Sequence, residues 1–297
     1  YGEDMFVTQY DAHAVEANGL LKMDFLGLRK LTFVQKMKEA VYEKYQEEIV
    51  IEAIDLEDPG TLALFAAGDT KGIFQFEQAG AIRLLRRVRP NHFEEVVATT
   101  SLNRPGASDY IDNFVKRKHG QEKVEILDPA IEEILRPTYG IMLYQEQVMQ
   151  VAQRFAGFSL GKADILRRAM GKKDAYAMHE MRESFIQGAL DAGHTREKSE
   201  QVFDVMEKFA GYGFNRSHAY AYSALAFQLA YFKTHYPAIF YQVMLNSSNS
   251  DYLMDALEAG FEVAPLSINT IPYHDKIANK SIYLGLKSIK GVSKDLA

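Results

Sequence analysis

From about Arg29 onward, apolar residues recur every three or four positions, the period of a helix with one buried face. Leu31, Val34, Met37, Val41 and Tyr45 form one such stripe, which stops at Glu47-Glu48. Asp58-Pro59 with Thr61 predicts a second start, with an acidic cap and Pro in the first turn. Further helices are expected at about 77–87, 91–101, 109–117, 129–135, 145–155, 159–170, 174–192, 195–209, 218–233, 237–246 and 250–260. Arg104-Pro-Gly, His119-Gly, Gly157, Gly193 and Gly211-Tyr-Gly punctuate them as turns.

Extended pieces are rarer. Met5–Gln9 has a strand-like mix. Leu20–Leu28 is mostly apolar and bounded by glycine, which predicts a short buried strand. Gly72-Ile-Phe-Gln-Phe-Glu and Ile282-Tyr-Leu-Gly-Leu are read the same way. The fold class expected is mainly α, with a small β piece at the N-terminus and a short α/β segment at the C-terminus. A lone strand pair is not a stable sheet, so the first strand is expected to have partners upstream.

Composition narrows the chemistry. The 297 residues include no cysteine, which excludes disulfides, Cys-ligated zinc, iron–sulfur clusters and thiol nucleophiles. No basic, apolar leader pattern opens the chain. The longest uncharged stretch, 217–232, is shorter than the roughly 20 residues a membrane span needs. Net charge is −6 overall, but residues 1–75 carry −7, residues 76–173 carry +4 and the remainder −3. A basic centre between acidic ends can present a phosphate-binding face.

Candidate chemistry lies in three places. Lys22 and Asp24 are two apart and would share one face of a strand. They read as a structural ion pair, or as a metal ligand beside a phosphate-neutralising cation. Leu160–Lys173 sets five basic residues against Asp164 alone. Arg167, Arg168, Lys172 and Lys173 suit phosphate because guanidinium forks donate parallel hydrogen bonds. The plainer reading is a solvated face with Asp164 pairing to Arg168 at i, i+4. Phe209–Tyr222 combines two glycines with Asn215, Arg216, Ser217, His218 and Tyr222 at a helix start, where free N–H groups favour anions. The alternative there is an ordinary glycine C-cap followed by a helix N-cap. Arg104 sits on a rigid Asn-Arg-Pro-Gly turn, and Tyr139–Gln147 mixes aromatics and amides before a helix. Gly157–Ala163 is one residue short of a P-loop and has Ala where Ser or Thr is needed. There is no HExxH, GxSxG or GxGxxG.

Six motifs in order, Leu21-Lys-Met-Asp-Phe-Leu-Gly-Leu, Gly72-Ile-Phe-Gln-Phe-Glu, Arg104-Pro-Gly, Tyr139-Gly-Ile with Tyr144-Gln-Glu-Gln-Val-Met, Leu166-Arg-Arg-Ala-Met-Gly-Lys-Lys and Phe209–Ala219, resemble the C-family replicative DNA polymerases of bacteria. Gly285–Ser293 is similar to the helix-hairpin-helix that follows the fingers in that family. The resemblance implies template-directed nucleotidyl transfer from a dNTP to a primer 3′-hydroxyl. It implies that residues 1–30 end the palm, 31–260 form the fingers and 261–297 open a helix-hairpin-helix, clamp-binding region. Asp24 would be a metal-binding catalytic carboxylate and Lys22 a catalytic triphosphate-side lysine. Arg104, Arg167, Arg168, Lys172, Lys173, Asn215, Arg216, Ser217, His218 and Tyr222 would bind nucleotide or DNA. Arg216 stands where many relatives have Lys. The implied cofactor is Mg²⁺, held with carboxylates missing from this stretch, so the chain is expected to be an inactive fragment on its own. Implied partners are primer–template DNA, dNTP, the sliding clamp and other replisome subunits, in the cytoplasm at the nucleoid and with no membrane. Two other readings remain open: a non-catalytic helical DNA-binding or scaffold module, and an unrelated metal-dependent phosphohydrolase, which the scattered histidines support poorly.

Overall fold

The computed structural model describes residues 6–23, 25, 27–172, 175–210, 213–247, 251–267, 271–288 and 292. The stripe read from Leu31 becomes α2 (Arg29–Tyr45), which buries Phe33, Val34, Met37 and Val41. In front of it lies one short helix absent from the pattern, α1 (Ala12–Ala17), capped by the Asp11 side chain. Asp58 starts α3 (Pro59–Ala67) as expected: its carboxylate accepts from the Thr61 N–H and hydroxyl at 2.7 and 2.6 Å. Then follow α4 (Ala79–Val88), α5 (Phe93–Leu102) and α6 (Ile111–Lys118). The next segment breaks into one turn of 3-10 helix, α7 (Glu132–Leu135) and another 3-10 turn, where Pro137 has no N–H to continue the ladder. After them come α8 (Gln145–Ala156), α9 (Leu160–Lys172), α10 (Ala175–Asp191), α11 (Arg196–Ala210), α12 (Arg216–His235), α13 (Pro237–Ser247) and α14 (Asp251–Glu258).

The chain is mainly α, with a three-stranded sheet near its end. β1 (Glu262–Val263) runs parallel to β3 (Ser281–Tyr283), and β2 (Lys276–Ala278) pairs antiparallel to the other edge of β3. The strand expected at Ile282 is therefore present but short, since a 3-10 turn begins at Leu286.

The other extended readings are corrected. Described residues between Leu20 and Leu28 form no strand, and Leu20, Leu21, Met23 and Phe25 are exposed. An apolar run becomes a buried strand only when a neighbouring strand takes its backbone hydrogen bonds, and none among the described residues does so. Residues 6–9 are likewise irregular. Gly72–Glu77 is a series of turns rather than an extended piece. Ile73 N–H donates to Thr70 O and Phe76 N–H to Ile73 O, both at 3.0 Å. The Thr70 hydroxyl closes the loop on Phe76 O at 2.7 Å. This winding buries Ile73 and Phe76 together, which alternating side chains could not do.

The described residues form two hydrophobic cores. The first joins α2–α6 to α12–α14 and the sheet, with α12 packed against α2, α3, α5 and α13. Its centre is a set of aromatic rings: Phe227 lies 5.8 Å from Phe65 and 5.6 Å from Phe93. The second core is built mostly from one continuous stretch, Ile131 to Phe209, with Phe185 in contact with both Phe155 and Phe203. Where α8 meets α10, a Cβ added at Gly188 would stand 2.2 Å from the Ala156 carbonyl oxygen. Gly188→Ala is therefore expected to cost about 1–3 kcal/mol, even though alanine is the better helix former. Urea unfolding checks this; an unchanged midpoint would mean that the two helices separate freely.

Candidate functional site at the junction of the cores

Between the cores the chain is extended over residues 141–144, and its side chains divide between them. Ile141, Leu143 and Tyr144 enter the first core and Met142 the second. Buried Gln147 holds this crossing. Its Oε1 accepts the Leu143 and Tyr144 N–H groups at 2.8 and 3.0 Å. Its Nε2 donates to the Thr138 hydroxyl and the Ile134 carbonyl at 2.8 and 3.1 Å. Held so, the crossing pairs with the stretch entering α12: Phe214 N–H donates to Leu143 O and Gln145 N–H to Phe214 O.

That pairing fixes Gly213-Phe214-Asn215 at the start of α12. The Asn215 side chain caps the helix by accepting from His218 N–H at 2.7 Å. From the first core, the Arg104 guanidinium lies 3.6 Å above the Phe214 ring, a cation–π contact. His218 meets the same ring edge-on at 5.5 Å. It also lies 4.1 Å from Tyr222, which touches Phe74 at 5.2 Å. From the second core, Arg167 reaches Gln145 Oε1 at 3.3 Å, while Gln145 Nε2 donates to Gly213 O at 3.2 Å. Arg104, Arg167, Asn215, His218 and Tyr222 thus come to one junction from both cores.

Arg167 and Arg168 share one carboxylate. Asp164 accepts from Arg167 Nε at 2.9 Å and from Arg168 Nε at 2.7 Å, and forms an ion pair with Arg167 Nη2 at 2.8 Å. Hydrogen bonds from Arg168 and Arg167 hold the Asp164 carboxyl below its ordinary value. The i, i+4 pair read from sequence is present, and so is the i, i+3 pair. Two guanidinium groups against one carboxylate leave the trio net positive.

Arg216 and Ser217 face another way. Residue 216 is rotated about 200° from 218 around the helix axis. The Arg216 guanidinium pairs with Glu94 at 2.6 Å and its backbone N–H donates to Glu146 at 2.9 Å. Both residues line a cleft of 650 Å³ together with Glu146, Gln150 and Tyr220. The charge of Arg216 is thus satisfied within the protein, apart from the Arg104–His218 group. Lys22 lies in the exposed coil ahead of α2. Lys172 ends α9. Asp24, Lys173 and Gly211-Tyr212 lie outside the described residues, as does the hairpin turn at 289–291. Among the described residues, no group of three or more His, Asp or Glu could hold a metal ion. The described residues alone do not make a Mg²⁺ site.

Gln145, Phe214 and Phe74 were missed as site residues by the sequence reading. The amide-rich Tyr144-Gln-Glu-Gln run was the available signal, but its partners lie about seventy residues away in the chain.

Comparison with known proteins places this chain among polymerase finger domains. Residues 30–193 match the family described as the bacterial DNA polymerase III alpha subunit finger domain. The chain is 68% identical over 296 residues to the DNA polymerase III subunit alpha of Streptococcus pyogenes, which covers 100% of this chain and 29% of that relative. It is 44% identical over 299 residues to the subunit of Thermus aquaticus, covering 97% of this chain and 24% of that protein. Against the Aquifex aeolicus subunit it is 42% identical over 303 residues, covering 99% and 26%. The chain belongs to the DNA polymerase III alpha subunit family and spans about 29% of the length of its Streptococcus pyogenes relative.

Proposed function

We propose that this chain provides the incoming-nucleotide and template side of template-directed DNA synthesis. The observation that carries the reading is the convergence of Arg104 and Arg167, from separate cores, on the Gly213–Asn215 turn at the start of α12. In the reaction, a primer 3′-hydroxyl attacks the α-phosphate of a dNTP and pyrophosphate leaves. Arg167 and Arg168 would bind the triphosphate and offset charge that builds on its oxygens. His218 and Tyr222 offer ring faces against which a nucleotide can pack. Base selection would come from template pairing, so backbone and base-pair shape are the expected contacts.

On this reading residues 31–260 are the fingers, residues 1–30 the end of a palm, and residues 261–297 the opening of a clamp-binding region. Asp24 and Lys22 would then belong to the palm side, and any Mg²⁺ would need carboxylates beyond those described here. Primer–template DNA, the sliding clamp and other replisome subunits would be the partners. No helix among the described residues is long and apolar enough to cross a membrane.

The test is titration of dNTP and of primer–template into the chain and into its Arg167→Ala/Arg168→Ala variant at two salt concentrations. Loss of two charge-assisted contacts is expected to weaken dNTP binding by about 10- to 100-fold. Identical dNTP binding by both proteins would overturn the proposal. Duplex binding that is salt-dependent and indifferent to the two arginines would favour the scaffold reading instead.

A further inference from the structure

We infer that Gln145 is a positioning residue that fixes the anion-binding edge of Arg167; the inference rests on the nucleotide reading above. A guanidinium has five N–H donors in one plane. In Arg167, Nε donates to Asp164 Oδ1 at 2.9 Å, and Nη2 lies 2.8 Å from the same oxygen as an ion pair. One Nη1 hydrogen goes to Gln145 at 3.3 Å. At least one donor remains on each Nη, and guanidinium N–H groups are strong partners for phosphate or carboxylate oxygens.

Asp164 alone would leave the guanidinium free to swing with its own helix, since both residues belong to α9. Gln145 is different, because it begins α8 and ties Arg167 to another element. Its amide is used at both ends: Oε1 accepts from Arg167 and Nε2 donates to Gly213 O at 3.2 Å. One side chain therefore locks the basic helix of the second core to the turn that starts α12 in the first. A neutral amide suits this task. A carboxylate at 145 would pair with Arg167 more strongly, but it would cancel the charge a phosphate needs and repel the Gly213 carbonyl. Fixing a guanidinium before binding lowers the rotamer entropy lost when the anion arrives.

A double-mutant cycle tests this, using inorganic tripolyphosphate and a dNTP as probes on the chain. Gln145→Met keeps the side-chain length and removes both hydrogen bonds. It is expected to weaken both probes about 3- to 10-fold, the worth of one or two hydrogen bonds. In an Arg167→Ala background the same change should have no effect, because Gln145 acts through Arg167. A merely structural role would give equal losses in both backgrounds, and that result overturns the inference. So would Gln145→Met binding as wild type while Arg167→Ala binds more weakly; the nucleotide reading would then survive. If Arg167→Ala itself leaves both probes unaffected, the nucleotide reading fails and the inference with it. Urea unfolding accompanies each variant, and Gln145→Ser replaces Gln145→Met in the cycle should the latter not fold.

Discussion

Lys233→Ala is expected to cost about 3–5 kcal/mol, the loss typical of breaking a buried ion pair by removing one partner. Lys233 is only 4% exposed, and its ammonium sits inside the first core among oxygens. Its Nζ donates to Asp69 Oδ1 at 2.8 Å, to Asp255 Oδ2 at 2.9 Å and to the carbonyls of Asp69 and Lys71. Asp69 opens to solvent and would rehydrate, but the Asp255 side chain is 12% exposed and would keep an uncompensated charge. The Tyr241 hydroxyl, which donates to Asp255 at 2.9 Å, would be left as its main partner. Burial and the neighbouring Asp255 carboxylate push that phenol well above its ordinary range, so it stays a donor. Lys233→Met with Asp255→Asn should recover much of the loss, since both charges leave together. Urea unfolding followed by circular dichroism decides: a loss under about 1 kcal/mol would place the pair with exposed ones.

Gln147→Leu should be nearly as costly, for a different reason. No charge is involved. Leucine fits the space but strands the N–H groups of Leu143 and Tyr144 and the Ile134 carbonyl, all served now by one amide. Each buried backbone group left without a partner costs about 1–3 kcal/mol, so a total of about 3 kcal/mol or more is expected. Amide exchange locates the effect: protection at Leu143 and Tyr144 should fall first, ahead of global unfolding. Uniform loss across the chain would show that Gln147 is not the clamp of the crossing.

Much of this architecture was legible because helices carry their own pattern. The stripe at Val34, Met37 and Val41 and the Asp58 cap depend on neighbours within four residues. What failed depended on partners beyond that range. The apolar run at Leu20–Leu28 has a strand's composition, yet a strand is defined by its neighbours. The turns at 72–77 escaped notice because Thr70 and Phe76 are joined by one side-chain bond. In the site, Arg167, Arg168, His218 and Tyr222 were read from charge and helix starts. Neighbouring residues on one helix can still face apart, and sequence adjacency grouped Arg216 with His218 where the helical rotation separates them. Gln145 was hidden because its partners, Arg167 and Gly213, come from α9 and from the turn ahead of α12.

The first core is interrupted in sequence, whereas the second is nearly continuous, and this bears on the order in which a ribosome delivers them. Helices α2–α6 emerge early, but their apolar stripes need Phe227, Leu229 and Phe240, made more than a hundred residues later. At bacterial elongation rates that wait is on the order of ten seconds. The second core, though made later, has nearly all its parts once Phe209 has emerged. A nascent chain would therefore carry a finished inner lobe between the waiting outer helices and the peptidyl-transferase centre. In that interval Phe33, Val34 and Phe93 present a greasy surface to chaperones, and the junction, needing both cores, forms only after them.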